Sequence, residues 1–209
     1  MKNKTNTIVF IIGLYVACQL IADVGATKMI QVGSIVMPGG TFIFAVSFVL
    51  RDMIHRKLGK EWAKSAIYMA AFLNVIMIGY FWLIAVLPSP VFYQYESEWG
   101  AIFALVPSIV IASIVAEVVS QLINTEVYHW WGSHFSNLPL WTRSVSSNLV
   151  SLPIDSVIFG SLAFAILPLF FGGDAISLFD AIVMVAGGQT IYKVLVALIF
   201  TPLIYTVSE

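Results

Sequence analysis

Cysteine is nearly absent from this 209-residue chain. Cys18 stands alone, which excludes an intramolecular disulfide, a CxxC motif and a cysteine metal cluster. Charge is scarce as well: Asp, Glu, Lys and Arg make up 10% of the residues, where soluble domains carry about 25%. The three histidines, His55, His129 and His134, share no HExxH or comparable ligand spacing, so neither a metal nor another cofactor is expected. No stretch reads GxxxxGKS or GxxxxGKT, so the chain has no P-loop with which to use ATP. A net charge of -1 gives no basic footprint for nucleic acid. What remains is apolar, with 60% hydrophobic residues and a mean hydropathy of +0.95. Such a composition belongs to a lipid bilayer.

The length suits one all-α domain, 1–209, a polytopic bundle of six transmembrane helices at ~20 residues each. Hydrophobic runs place the spans at about 7–22, 37–54, 63–87, 101–123, 145–171 and 181–205. Lys2 and Lys4, then Arg51, Arg56, Lys57, Lys60 and Lys64, then Arg143 all fall on one side of this arrangement. The opposite connections hold Lys28 with acids such as Asp23, Glu96, Glu98 and Asp174. By the positive-inside rule both termini are therefore cytoplasmic, in a cell (inner) membrane of bacterial type. Trp62, Trp130, Trp131 and Trp141 mark the inner boundaries, and Trp82 and Trp99 lie near the outer one. Lys2, Lys4, the apolar run 8–22 and Val24-Gly25-Ala26 imitate a cleavable signal, and Tyr15-Val16-Ala17-Cys18 imitates a lipoprotein box. The spans that follow favour a retained first helix.

Polar residues recur at helical spacing inside these spans. In the fifth, Ser144, Asn148, Ser151 and Asp155 fall at i, i+4, i+7 and i+11, with Ser147 beside them. Pro153 cannot donate to the carbonyl of Leu149, which frees that oxygen for a partner. The fourth span repeats the pattern with Ser113, Glu117, Gln121 and Asn124. In the second, Pro38-Gly39-Gly40 permits an irregular entry, and Phe44, Phe48 and Asp52 share a face on which two rings above an acid could sandwich a flat ligand. Ordinary helix packing, with an interfacial Asp52 paired to Arg51 or Arg56, explains the same spacing. The last span carries Gln189 one turn above Lys193. Counted from opposite ends, Asp155 and Lys193 each lie roughly 17 Å into a ~30 Å core. They can meet, either as an ion pair that only joins two helices or as the lining of a cavity. Ionisable groups at that depth cost at least about 2.5 kcal/mol and commonly mark a ligand path, a relay or an ion pair.

The run PGGTFIFAVSFVLRDMIHRKLGK, with Asp52 and Gly59 seven residues apart, resembles the signature segment of the queuosine precursor transporters, also called the vitamin uptake transporter family. The resemblance continues through Gln121, Arg143, Ser147, Asp155-Ser156, Phe159, Tyr192-Lys193, Pro202 and Tyr205. Arg56 and Lys57 depart from it, standing where a more neutral or acidic stretch is expected, and Glu117 is not carried over from it. It implies six spans and uptake of the 7-deazapurines 7-cyano-7-deazaguanine (preQ0) or 7-aminomethyl-7-deazaguanine (preQ1), without enzymatic activity.

Such a base presents a ring N–H beside an exocyclic amine, which one carboxylate accepts as a bidentate pair. Asp155 is the first candidate and Glu117 the second. Gln121, Ser147 and Asn148 would serve the other edges, Phe44 or Phe48 the ring face, and Lys193 would complete the site. Asp52, Arg143, Asp155 and Lys193 are the candidates for gating or coupling. Alternating access without ATP hydrolysis, with or without a coupled proton, is the expected mechanism. Two alternatives stand beside it: the binding subunit of an ATP-driven vitamin importer, and an intramembrane hydrolase in which Asp155 meets Asp52 or Glu117. Homodimerisation is left open.

Overall fold

The computed structural model describes residues 2–103, 106–171 and 174–207. Residues 104 and 105, inside the expected fourth span, lie outside the described residues. Helix α1 (Lys2–Gly25) leads into a hairpin of β1 (Met29–Val32) and β2 (Ile35–Pro38). Then come α2 (Thr41–Leu58), α3 (Lys60–Val86), α4 (Glu96–Phe103), α5 (Val106–His134) and α6 (Leu140–Gly160). A π-helical turn (Ser161–Ile166) joins α6 to α7 (Pro168–Phe171). Helix α8 (Leu178–Asp180), a second π-helical turn (Ala181–Ala186), α9 (Gly187–Phe200) and a 3-10 segment (Thr201–Thr206) complete the chain.

Five stretches are long and apolar enough to cross a membrane: Asn6–Gly25, Lys60–Val86, Glu96–His134, Leu140–Phe171 and Leu178–Thr206. The protein is thus a helical, multi-pass membrane protein. Helix α2 is excluded by its charges, Arg51, Asp52, Arg56 and Lys57, yet most of its residues are buried. It packs against α1, α3 and α9, so protein rather than lipid surrounds its polar groups. Helix α3 is its opposite. Only Ala63, Ala66, Ile67, Ala70 and Asn74 of its 27 residues are buried, and the remaining apolar surface faces outward.

Several expected boundaries move. The fourth span continues to His134, so His129, Trp130 and Trp131 lie on a helix rather than in a connection. His55 likewise belongs to α2. Asp23, expected in a connection, sits in the last turn of α1 and is 3% exposed. Pro153 does not interrupt α6. The first connection is a hairpin pinned by close backbone contacts: a Cβ on Gly40 would lie 2.0 Å from the Ala22 carbonyl oxygen, and one on Gly188 would lie 2.8 Å from that of Val36. The hairpin therefore rests on both α1 and α9. Gly59 separates α2 from α3 at φ 94°, ψ 174°, a conformation essentially reserved to glycine.

Candidate functional site

The polar stripes of α5 and α6 face each other. Ser113, Glu117, Ser120, Gln121, Asn124 and Thr125 on α5 are all buried, as are Ser144, Ser147, Asn148, Ser151 and Asp155 on α6. Buried polar groups need partners, and here they find one another. Asn124 Nδ2 donates to Asn148 Oδ1 and to Ser151 Oγ, each at 2.7 Å. Ser120 Oγ donates to Asp155 Oδ1 at 2.9 Å, and Lys193 Nζ donates to Asp155 Oδ2 at 2.6 Å. The ammonium also stands 4.8 Å from the centre of the Phe44 ring and 5.9 Å from that of Phe159, within cation–π range.

Beside this ion pair lies a cavity lined by Asp23, Thr41, Phe44, Ser113, Asp155, Phe159, Gln189 and Lys193, with Ala22, Ala26, Pro38, Gly40 and Ala116 filling the remainder. The hairpin end, through Pro38 and Gly40, forms part of its wall. The space open to the centres of water-sized spheres is about 30 Å³. That admits two or three water molecules, at about 10–15 Å³ each. A bicyclic base needs far more, so this conformation is closed around the site.

Asp155, Lys193 and Phe44, expected to bind substrate, line the cavity together. The other candidates stand behind it. Phe48 packs edge-on against Phe44 at 5.5 Å between centroids, so the two rings touch each other instead of holding a slot open between them. Glu117 receives a hydrogen bond from Tyr15 Oη at 3.1 Å, and its Oε2 has no partner among the described residues. Gln121 Nε2 reaches Ser47 Oγ at 3.5 Å, Ser147 Oγ donates to the Ser144 carbonyl at 3.1 Å, and Asn148 is held by Asn124.

Asp52 belongs to a different layer. Its carboxylate is bound by Arg51 on one oxygen and by Ser144 on the other. Arg51 also donates to Asn124 Oδ1 at 2.5 Å, Thr125 Oγ1 at 2.9 Å and the Gln121 carbonyl at 3.1 Å. Both side chains are fully buried, not interfacial. Arg143 lines a third region, with His55 and Tyr128. Asp52 and Asp155 thus have separate partners, and neither shares a hydrogen bond with another carboxylate among the described residues.

Helix α1 carries what the sequence reading missed. Tyr15, Gln19 and Asp23 recur at i, i+4 and i+8, the same signal that identified α5. Gln19 Nε2 donates to Tyr15 Oη at 3.4 Å, and Ser113 Oγ donates to Asp23 Oδ1. Asp23 Oδ2 has no partner among the described residues, although Asp23 lines the cavity.

A family model described as "Putative vitamin uptake transporter" matches residues 38–207. The chain belongs to the vitamin uptake transporter family. No curated protein matches it. No solved structure matches it either. The matched segment contains Phe44, Asp155, Phe159, Gln189 and Lys193, whereas Asp23 and the rest of α1 precede it. In this member of the family, then, the part of the cavity wall made by Ala22, Asp23 and Ala26 of α1 lies outside the matched segment, while the hairpin end at Pro38 and Gly40 lies at its start. A transporter of this family binds a small molecule within a bilayer, and the cavity beside Lys193 and Asp155 has the mixture of apolar wall and few polar groups expected of such a site.

Proposed function

We propose that the protein imports a 7-deazapurine precursor of queuosine, 7-cyano-7-deazaguanine or 7-aminomethyl-7-deazaguanine, across the cytoplasmic membrane. Uptake proceeds by alternating access around the cavity at Asp155 and Lys193. Family membership supports carriage of a small molecule; the residues support the choice of substrate. The observation that carries it is the carboxylate pair facing the cavity: Asp155, held by Lys193 and Ser120, and Asp23, whose Oδ2 has no partner among the described residues. A guanine-like edge offers adjacent N–H donors that suit such oxygens, and Phe44 and Phe159 offer ring faces for a flat base.

Both Asp155 oxygens already accept hydrogen bonds, so substrate entry must rearrange the Lys193 pair as well as enlarge the space. The π-helical turns at Ser161–Ile166 and Ala181–Ala186 flank the site, and such turns often occur where helices deform. Among the described residues around the cavity, Asp23, Glu117 and Asp155 outnumber Lys193, since the buried Arg51 is paired with Asp52. A coupled proton, or the ammonium of an aminomethyl substituent, would balance the excess. In this reading α2 is the second of six spans in a single 1–209 domain, with both termini cytoplasmic, Glu117 and Gln121 supporting the site from behind, and Asp52 fixing the gate end of α2.

The test is uptake of radiolabelled 7-cyano-7-deazaguanine by cells lacking both precursor synthesis and their own transport. The wild type is expected to accumulate label, and Asp155→Asn to lose it. Intact transport by Asp155→Asn removes the assigned role. Uptake by purified protein in vesicles excludes dependence on an ATPase partner, and collapse of the pH gradient reports proton coupling.

A further inference from the structure

A second cavity opens near the junction of α5 and α6, at the end where Lys60 and Lys64 also lie, and apart from the gating role expected of Arg143 the transport reading gives it no function. We propose that it binds a phosphate-type oxyanion, either a free phosphate group or the headgroup phosphate of a lipid. Its volume for the centres of water-sized spheres is about 290 Å³, where a single water needs only about 10–15 Å³. Its wall is made by His55, Arg56, Tyr128, His129, Ser133 and Arg143, together with the backbone at Gly132. No acidic side chain lines it among the described residues.

The neighbouring carboxylates are occupied elsewhere. Asp52 is taken by Arg51 and Ser144, and Glu126 by Lys60 at 2.7 Å and Lys64 at 3.0 Å. Four polar atoms of the wall residues are buried just behind its surface without a partner among the described residues: Arg143 Nε, Arg56 Nε, Tyr128 Oη and His55 Nδ1, the last a donor or an acceptor according to its tautomer. Tyr128 is 3% exposed and His55 is 7% exposed, so these groups are withdrawn from bulk water. Unmade hydrogen bonds at buried donors cost free energy, which an acceptor-rich ligand recovers when the Arg143, Arg56 and Tyr128 side chains turn toward it.

The guanidinium of Arg143 is placed by a missing side chain. A Cβ on Gly132 would lie 2.9 Å from Arg143 Nη1, so glycine lets the planar fork lie against α5. Guanidinium groups bind phosphate oxygens in pairs, which makes this the anchoring contact. His55 and His129 stack at 5.9 Å with 14° between their planes, a flat second wall. Arg56, tied by Nη1 to the Ile204 carbonyl at 2.5 Å, is fixed at the rim. Basic side chains near the ends of α2 and α5 also offset the negative dipole of a helix C-terminus. That role requires no cavity of this size and no unpaired donors along its wall.

The experiment uses the full chain in a maltoside detergent free of phosphate. Thermal unfolding is followed with added inorganic phosphate, with added phosphatidylglycerol, and with potassium chloride at matched ionic strength. A rise in Tm with inorganic phosphate beyond the chloride control assigns a soluble phosphate; a rise with phosphatidylglycerol alone assigns a lipid headgroup. In either case Arg143→Gln is expected to weaken the apparent affinity at least about tenfold. Gly132→Ala, which displaces the guanidinium without removing its charge, is expected to weaken it also. The proposal is overturned if neither ligand exceeds the chloride control, or if Arg143→Gln responds like the wild type. Should Arg143→Gln fail to fold, an undiminished response in Gly132→Ala overturns it.

Discussion

Two buried ion pairs sit at opposite ends of the polar face of α6, marked by Ser144 at one end and Asp155 at the other, about 16 Å apart along the helix. Around Arg51 and Asp52 each carboxylate oxygen is bonded, and the guanidinium reaches Asn124, Thr125 and a backbone carbonyl. Around Lys193 and Asp155 the pair stands beside a cavity, and among the described residues aromatic faces take the place of further hydrogen-bond partners for the ammonium. A guanidinium bonded to four partners, with its Nε alone left over among the described residues, holds helices together. A charge with an open flank can change partners. The difference separates a structural ion pair from one suited to meeting a ligand, although both consist of a basic and an acidic side chain deep in the protein.

The sharpest way to break this comparison is Asp52→Ala. It leaves Arg51 without its counter-charge in a sealed layer, and a loss of about 3–5 kcal/mol is expected, read as a collapse of Tm and of monodisperse yield. Lys193→Met should cost less, about 1–3 kcal/mol, because the stranded Asp155 borders a cavity that water can enter. Combining it with Asp155→Asn should return much of that stability while uptake of label stays absent; recovery of uptake in the double variant would equate the two pairs. Gly188→Ala should cost about 1–3 kcal/mol by pressing on Ile35 and Val36. Faster proteolysis within residues 29–38 would register the loosened hairpin. The smallest effect should come from Asn74→Leu on α3. Both amide atoms of Asn74 are buried without partners among the described residues, so a gain of about 1 kcal/mol in unfolding stability is expected.

The helical stripes of α5 and α6 were legible because lipid permits no scattered polarity: a serine, amide or acid inside a span has to face protein, and helical spacing shows which residues do so together. The meeting of Asp155 with Lys193 followed from depth alone. Helix α1 was harder, since Tyr15, Gln19 and Asp23 are interleaved with a run that imitates a secretion signal, and Asp23 lies near enough to the chain reversal to resemble a loop residue. The hairpin had its own signal in Gly33-Ser34 between two β-branched runs, but eight strand residues of mostly apolar character merge into the entry of α2 when hydropathy is followed. Arg51 could not be placed from sequence. One position away from Asp52, it reads as a cytoplasmic charge until the partners on α5, seventy residues and more downstream, are brought against it.

Helix α3 turns its outer surface away from all of this, and that surface contains a length. Trp62 and Trp82 are 57% and 66% exposed, and twenty residues of helix between them span about 30 Å. Indole rings favour the two interfaces of a bilayer, whose hydrocarbon core is also about 30 Å thick. The helix therefore measures the membrane it occupies. A thinner bilayer would draw it into a tilt. Because Ala63, Ala66 and Ala70 couple α3 to the rest of the bundle through short side chains, that tilt would be felt by its neighbours, making lipid chain length a physical variable acting on the protein's conformation.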